Sequence, residues 1–149
     1  MSAALHLAKP GDLAKLMPLV AAFHEGENIS SSAETREAAL APLLDGSPHG
    51  AVYLIGPQNA PIGYIVVTFG WSIEFGGLDG FIDEIFIRPG VRGRGVGSEV
   101  ITSLVAMLKS VGMKALHLEV EPDNDRALRL YRRCHFRMRD GYHLMSRVL

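Results

Sequence analysis

The stretch Phe81 to Gly97, FIDEIFIRPGVRGRGVG, decides the fold of this chain. An apolar strand pattern runs directly into a glycine-rich turn, and the turn opens a helix pattern. Glycines let the backbone approach a ligand closely, while the first N–H groups of a helix and its dipole attract negative charge. Arg92 and Arg94 add full positive charges beside them. The stretch therefore predicts a binding site for an anion such as a phosphate.

The composition is that of an ordinary folded protein. We expect residues 1–149 to form one domain, in which folding buries roughly two thirds of the surface of the unfolded chain. The chain is 48% hydrophobic and 21% charged, which is typical of globular proteins. Its net charge of −1 creates no overall field for nucleic acid, so we expect no nucleic-acid partner.

Cysteine usage and hydropathy predict a cytoplasmic protein. Cys134 is the only cysteine, so no intrachain disulfide can form and a reducing compartment is expected. The sequence MSAALHLAKPGD has neither the charged start nor the apolar run of a signal peptide. The apolar run from Leu16 to Phe23 is too short to cross a bilayer and contains Pro18, so we expect no membrane partner.

Hydrophobic periodicity and turn residues predict the order of helices and strands. The predicted elements are a strand over 5–8, a helix over 12–24, a helix from the capping-box pair Ser31 and Glu34 to Gly46, strands over 52–55, 62–69 and 81–87, a helix from the glycine turn to Gly112, a strand over 115–120, a helix over 123–134, and a final hairpin of strands over 136–139 and 142–147. Short connections between the three middle strands favour an antiparallel meander. The prediction is an α/β fold with a mixed, mostly antiparallel sheet of about six to seven strands, flanked by about four helices.

Strand alternation also places several polar side chains. His117 and Glu119 share one face of their strand, opposite its apolar residues. Asp83 and Glu84 point to opposite faces of a regular strand, and a bulge could exchange which of them enters a cleft.

Two better-known phosphate loops fit the glycine turn poorly. A Walker A loop that starts at Gly90 needs Lys and then Ser or Thr where Val96 and Gly97 stand. A dinucleotide-binding fingerprint that starts at Gly93 needs a third glycine where Ser98 stands, and it belongs to an early βαβ unit. A nucleotide-binding domain is therefore a distant alternative.

Two linked motifs fit another class of protein. The first is Arg92-x-x-Gly95-x-Gly97 after an apolar strand that ends in IFIRP, and the second is LEVEPDNDRALRLYRRCHF. Together they resemble the GNAT superfamily of N-acetyltransferases, over essentially the whole chain. The resemblance implies direct transfer of an acetyl group from acetyl-CoA to a primary amine in a ternary complex, without metal.

The resemblance also implies which residues bind acetyl-CoA. In that family the turn amides hold the pyrophosphate, and the preceding strand pairs with the pantetheine arm as if with an added strand. An amide near Ile87 would then polarise the thioester carbonyl and stabilise the oxyanion. The implied cofactor-binding residues are Ile85, Phe86, Ile87, Arg92, Gly93, Arg94, Gly95, Val96, Gly97, Ser98 and Asn124.

The implied catalytic residues are Tyr131, Glu119 and Glu84. Tyr131 matches the family tyrosine that protonates the departing thiolate, and it lies about two helical turns from Asn124, on the same face. A protonated amine must lose a proton before it attacks, so a carboxylate is needed as base. Glu119 aligns with a family glutamate and Glu84 lies on the cofactor strand; the choice between them stays open. Asp83 is expected to be solvated.

The acceptor side is less well defined by the sequence. In the family, the loop after the first helix and the loop before the FGG turn meet over the acyl group. The candidate substrate-binding residues are His24, Glu27, Trp71 and Glu74. Carboxylates with an aromatic wall suit a cationic amine, and both a small-molecule amine and a peptide amine stay open.

The remaining expectations concern metals, assembly and an alternative function. The six histidines show no paired spacing of a metal site, so no metal is expected. Many GNAT proteins pair as dimers, and a homodimer is therefore considered. His135 stands where the family usually has a left-handed glycine, a conformation that His tolerates better than most residues. A non-catalytic module that binds acyl-CoA is the alternative; Tyr131 and the two glutamates favour the enzyme.

Overall fold

One mixed sheet positions the other parts of the molecule in the computed structural model, which describes residues 4–149. Its elements are β1 (Leu5–Leu7), α1 (Leu13–Gly26), α2 (Ala33–Leu44), β2 (Gly50–Ile55), β3 (Gly63–Ser72), β4 (Gly77–Ile87), α3 (Val96–Ser110), β5 (Ala115–Leu118) and α4 (Asp125–Arg133). Short 3-10 turns at Pro10–Asp12 and Pro89–Val91 precede α1 and the glycine turn. The predicted α/β class with a mixed sheet and four helices is confirmed.

The strands follow the order β1-β2-β3-β4-β5 across the sheet. The first four are antiparallel neighbours, as the short connections predicted, and β5 runs parallel to β4. β5 pairs with β4 only from Asp79 to Ile82, whereas β3 pairs with β4 as far as Ile87. The last part of β4 therefore has a strand partner on one side only.

A β-bulge in β4 changes which face its side chains occupy. Val66 of β3 is opposite Glu84 and Val67 is opposite Ile82, so Asp83 has no partner across the strand. Ile82 lies in the core under α3, although in a regular strand it would share a face with Glu84. The bulge that the sequence left open is present, and it turns Glu84 toward the face covered by α1.

The helices bury the two faces of the sheet. Under α1 and α2 the core contains Leu16, Leu19, Val20, Leu40, Leu44, Val52, Leu54, Tyr64, Val66 and Phe86. Under α3 it contains Ile55, Ile65, Val67, Ile82, Val100, Leu104, Leu108 and Met113. Burial of such apolar side chains is the main stabilising contribution to the fold.

The predicted C-terminal hairpin is wrong, and within residues 4–149 the sheet has five strands rather than six or seven. Asp140 and Gly141 do form a turn, with φ of 87° at Gly141, but no strand flanks it. Tyr142 and Leu144 are 72% and 69% exposed, so their side chains are not packed against a core. A two-stranded hairpin without a third strand or a packing surface is at best marginally stable in water.

Smaller differences concern the helix ends. Ser32 rather than Ser31 caps α2, because its hydroxyl accepts the Thr35 N–H at 3.1 Å. Asn124 caps α4 in the same way through the Ala127 N–H. After α4, His135 has φ of 68°, the left-handed conformation expected there.

Candidate active site

A cavity of about 420 Å³ lies between the end of β4, the glycine turn and α4. It brings together most of the residues that the sequence singled out for cofactor binding. The predicted site residues that line it are Glu27, Ile85, Phe86, Ile87, Arg92, Gly93, Gly95, Val96, Gly97, Ser98, Asn124 and Tyr131. Arg94 belongs to the same turn but is exposed and lies outside the lining.

The glycine turn supplies backbone donors to one end of this cavity. Gly93 and Gly95 have φ of 79° and 77°, conformations that other residues rarely adopt. Gly95 is the N-cap of α3, so the first N–H groups of the helix, from Val96 onward, have no acceptor within the helix. Amides in this arrangement, with the Arg92 side chain at the cavity wall, fit the pyrophosphate of an acyl-CoA.

Gly97 has a packing role in the same turn. A Cβ atom at this position would lie 3.0 Å from Leu130 Cδ2, so a larger residue would require the Leu130 side chain to shift by a few tenths of an ångström. The close approach of the two helices brings the side chains of α4 to the cavity.

The edge of β4 that lies beyond β5 is open toward the cavity. Arg88 N–H, just after β4, donates to the Ile62 carbonyl at 2.8 Å, on the β3 side. Because successive amides of a strand point to opposite sides, the Ile87 N–H points away from β3, into the gap left by β5. Arg92 Nε donates to the Ile87 carbonyl at 2.7 Å on that side. An extended ligand arm can therefore pair with the Ile87 N–H there.

Tyr131, which carries an aromatic ring and a hydroxyl group, lines the cavity. Its ring packs against Phe136 in an edge-to-face arrangement, with 6.0 Å between the ring centroids. Burial raises the pKa of Tyr131, and the negative charges of Glu27 and Cys134 raise it further. The hydroxyl therefore stays protonated near neutral pH and can act as a proton donor.

Glu84 and His24 lie together on the α1 side of β4. His24 Nε2 is 2.6 Å from Glu84 Oε2, and the side chains are only 14% and 17% exposed. The Tyr64 hydroxyl donates to Glu84 Oε1 at 2.7 Å, and the negative charge of Glu84 is one reason, after burial, why the pKa of Tyr64 is strongly raised. Phe23, which lines the cavity, packs edge-to-face on Tyr64 at 6.3 Å. Glu84 therefore lies just behind the cavity wall.

Two further carboxylates lie near Glu84. Asp83 reaches solvent, and desolvation together with the charges of Glu84 and Glu119 raises its pKa, while His24 lowers it. Glu119 follows β5 and is exposed. The structure thus places Glu84 in a fixed, half-buried position and leaves Glu119 at the surface.

Trp71 and Glu74 lie apart from the cavity. Trp71 is 74% exposed at the end of β3. Glu74 forms an ion pair with Arg139 at 2.8 Å, and the Arg139 guanidinium lies over the Phe75 and Tyr142 rings. These contacts tie the C-terminal segment to the turn between β3 and β4. The four predicted substrate-binding residues therefore lie in three places. Glu27 lines the cavity, His24 lies beside Glu84, and Trp71 and Glu74 lie near the turn between β3 and β4.

Sequence reasoning missed several residues at the site. Arg126, Leu130 and Arg133 line the cavity and follow one another at intervals of four and three, which is the helical periodicity that could have indicated them. Tyr64 gave no signal, because its contact with Glu84 depends on the pairing of β3 with β4.

The described part of the chain contains neither a cluster of metal-binding side chains nor a helix that could span a membrane. Within residues 4–149, no three side chains of His, Cys, Asp or Glu form a group that could hold a metal ion. The helices of the same range are all too short or too polar to cross a membrane.

A glycine turn at the start of α3, an open strand edge and a tyrosine whose pKa is raised lie around one cavity, which is the arrangement expected of an acyl-CoA-dependent N-acyltransferase. The chain belongs to the acetyltransferase (GNAT) family, whose model matches residues 15–136. It is similar to a thialysine N-epsilon-acetyltransferase of Bos taurus, with 27% identity over 84% of this chain and 78% of the relative. These matches identify an acyl-CoA-dependent N-acetyltransferase, a family that acts on amine acceptors.

Solved structures share the fold over nearly the whole chain. An integron cassette protein from the mobile metagenome of Cole Harbour Salt Marsh matches with a TM-score of 0.83 and 30% identity, over 97% of this chain and 90% of that protein. A ribosomal-protein-alanine N-acetyltransferase from Brucella melitensis matches with a TM-score of 0.76 over 99% of this chain and 100% of that protein. Its identity is 16%, so this likeness concerns the fold alone.

Proposed function

We propose that the protein transfers the acetyl group of acetyl-CoA directly to a primary amine in a ternary complex. The observation that supports this most is the shared cavity, which Ile87 and Tyr131 both line beside the glycine turn. One supplies a donor for the thioester oxygen and the other a proton for the leaving sulfur.

The donor would lie along the cavity in the proposed complex. The amides from Gly93 to Ser98 would hold the pyrophosphate, with Arg92, Arg126 and Arg133 at the border. The pantetheine arm would pair with the open edge of β4, and Asn124 would contact it from the start of α4. Arg94 is exposed, and its part would be long-range attraction of the phosphates.

The chemistry would need one base, one oxyanion donor and one acid. After the amine has lost a proton, its nitrogen forms a bond to the thioester carbon while the Ile87 N–H stabilises the negative oxygen. The oxyanion then re-forms the carbonyl as the carbon–sulfur bond breaks, and the sulfur takes the proton of the Tyr131 hydroxyl. The nitrogen gives up its second proton, which restores that hydroxyl. The products would be an acetamide and CoA.

Glu84 is the proposed base, acting on the amine directly or through water. It lies behind the cavity wall in an orientation fixed by two hydrogen bonds, whereas Glu119 is exposed beyond β5. Glu119 stays as the second candidate, since it is close enough to Asp83 for its charge to act there. A pH–rate profile that changes in Glu119→Gln but not in Glu84→Gln would reverse this assignment.

The proposed acceptor is a cationic primary amine. Glu27 in the cavity, and Asp83 and Glu84 beside it, supply negative charge on the acceptor side. The Bos taurus relative is named for the epsilon amine of thialysine, which favours a small-molecule amine over a peptide.

A homodimer in the cytoplasm completes the proposal. The C-terminal segment exposes Tyr142, Leu144, Met145 and Val148, and a second copy could cover these apolar side chains. In the described residues the outer edge of β5 has no strand partner, which offers a second surface for pairing.

Thermal unfolding in the presence of acetyl-CoA, CoA, NAD and ATP tests donor binding. A ligand at about one hundred times its dissociation constant adds roughly 2.7 kcal/mol to the free energy of unfolding. Stabilisation by acetyl-CoA and CoA, followed by release of free thiol that depends on an added amine, is expected. Stabilisation by NAD or ATP instead would favour the nucleotide-binding alternative, and binding of acetyl-CoA without amine-dependent thiol release would favour the non-catalytic module.

A further inference from the structure

A chain of hydrogen bonds leads from α2 to the carboxylate of Glu84. Arg36 Nη1 donates to Ser31 Oγ at 3.1 Å and to the Ser31 carbonyl at 2.7 Å. Ser31 Oγ is 2.7 Å from His24 Nδ1, and His24 Nε2 is 2.6 Å from Glu84 Oε2. Tyr64, a fully buried residue, reaches the other oxygen of Glu84 from β3. Four side chains, from α1, α2, β3 and the loop before α2, are thus linked to one carboxylate, and two of them, His24 and Tyr64, contact it.

The partners of His24 determine which ring nitrogen carries the proton. A guanidinium has no acceptor, so the Ser31 hydroxyl cannot donate to Arg36 and directs its proton to His24 Nδ1. The neutral imidazole therefore carries its proton on Nε2, where it faces Glu84 and donates to it. Ser31 can do this because Ser32, one residue later, caps α2.

The two donors to Glu84 leave part of the carboxylate available. A carboxylate has about four lone-pair sites, and the bonds from His24 and Tyr64 occupy one site on each oxygen. Both donors come from packed elements, α1 and β3, so they fix the side-chain angles of Glu84. The remaining lone pairs can receive the proton of the amine.

We propose that His24 and Tyr64 are positioning residues that hold the Glu84 carboxylate ready for the acceptor amine, and that Ser31 and Arg36 fix the tautomer of His24. This rests on the proposed function, in which one proton passes from the ammonium nitrogen to Glu84, giving a neutral amine and a carboxylic acid. Other charged groups beside this chain are Asp83 on β4 and Glu119 after β5. Tyr64 and His24 donate throughout and do not exchange their own protons.

Substitutions of His24 that differ only in length test the proposal. His24→Gln can place an amide N–H near the position of Nε2, whereas His24→Asn reaches only the position of Nδ1. We expect His24→Asn and Tyr64→Phe each to lower kcat about tenfold or more, as for loss of a hydrogen bond to a charged group. We expect His24→Gln to keep most of the activity, and KM for acetyl-CoA to stay unchanged in all three. His49→Asn, at an exposed histidine before β2, is the matched control.

A double-mutant cycle with Glu84→Gln separates positioning from general stability. If His24 and Tyr64 act through Glu84, His24→Asn and Tyr64→Phe cause no further loss in the Glu84→Gln background. Equal losses in both backgrounds, or equal losses for His24→Asn and His24→Gln, would overturn the proposal. The melting temperature of each variant shows that it is folded.

A spectrum of the histidine ring nitrogens provides a test that does not depend on activity. In the wild type, long-range ¹H–¹⁵N correlations of His24 should show the proton on Nε2 when the ring is neutral. A neutral ring with its proton on Nδ1 would overturn the proposal. If no amine supports thiol release by the wild type, the proposed function fails, and this spectrum alone still decides whether the hydrogen-bond chain has the inferred arrangement.

Discussion

The cavity side of β4 and its α1 side carry two differently constructed parts of the site. On the cavity side, the groups proposed to hold the donor are the Ile87 amide and the amides from Gly93 to Ser98, which are close together in the sequence. On the α1 side, the polar groups are side chains brought together from α1, β3, β4 and the loop before α2. A site made of local backbone depends on glycine and turn conformation, whereas a site made of distant side chains depends on how strands and helices pack.

The largest effect is expected at Tyr131, which lines the cavity. Tyr131→Phe should lower kcat about 100-fold or more, because general acid catalysis typically contributes that much. Binding of acetyl-CoA should be nearly unchanged, since the ring and its contact with Phe136 remain. Steady-state kinetics and thermal shift with acetyl-CoA measure the two quantities separately.

The pH dependence of the wild type gives a companion test. Because burial and nearby negative charge raise the pKa of Tyr131 above its ordinary value of 10.0, the hydroxyl stays protonated up to at least that pH. Loss of kcat caused by Tyr131 should therefore begin only above about pH 10. A kcat that Tyr131→Phe leaves unchanged would remove Tyr131 from the role of acid.

A glycine substitution tests the backbone part of the site. Gly95→Ala introduces a Cβ at φ of 77°, a conformation that costs other residues roughly 1–2 kcal/mol. We expect acetyl-CoA to bind about tenfold more weakly, because the strained turn no longer presents its amides correctly. Isothermal titration with acetyl-CoA measures this change.

Gly76→Ala is the matched control for that variant. Gly76 lies in the turn before β4 with φ of 89°, and neither glycine has an atom within 4 Å of the added Cβ. Both variants should lose similar stability, but only Gly95→Ala should lose affinity for acetyl-CoA. Equal affinity in the two variants would mean that the turn at Gly95 does not hold the ligand.

An arginine substitution has a smaller expected effect on the same side. Arg126→Ala should weaken acetyl-CoA binding by about two- to fivefold, as for an exposed ion pair, and the difference should shrink at high salt. Arg132→Ala, on the same helix but outside the cavity lining, should leave binding unchanged. A loss of the same size in both variants would indicate a general charge effect.

The same comparison explains what the sequence could predict. The motif Arg92-x-x-Gly95-x-Gly97 indicates a turn conformation directly, so the donor side could be inferred from neighbouring residues. The contact between Tyr64 and Glu84 could not, because it requires the register of β3 against β4 and the bulge at Asp83. The prediction of a final hairpin was wrong for a related reason. Asp140 and Gly141 specify a turn, but they do not determine whether the flanking segments pair as strands of a sheet.

The smallest expected effect is on the stability of the fold, and it comes from the negative charge of Asp83. The pKa of Asp83 is raised above 3.8 by desolvation, Glu84 and Glu119, so its ionised form is less favourable in the folded protein than in the unfolded chain. Its ionisation therefore lowers stability as pH rises through the folded pKa, and below 3.8 this loss is absent. Asp83→Asn should slightly raise the melting temperature at pH 7, and the gain should shrink as pH falls toward 4.

Asp12→Asn is the control of opposite sign, on a carboxylate of the fold rather than of the site. Asp12 accepts the Lys9 backbone N–H at 2.9 Å, and this bond is the main reason why its pKa is lowered. Its ionised form therefore stabilises the fold above 3.8, and this stability is lost as pH falls through the lowered folded pKa. Asp12→Asn should lower the melting temperature at pH 7. If Asp83→Asn also lowered the melting temperature, ionisation of Asp83 would not destabilise the folded protein.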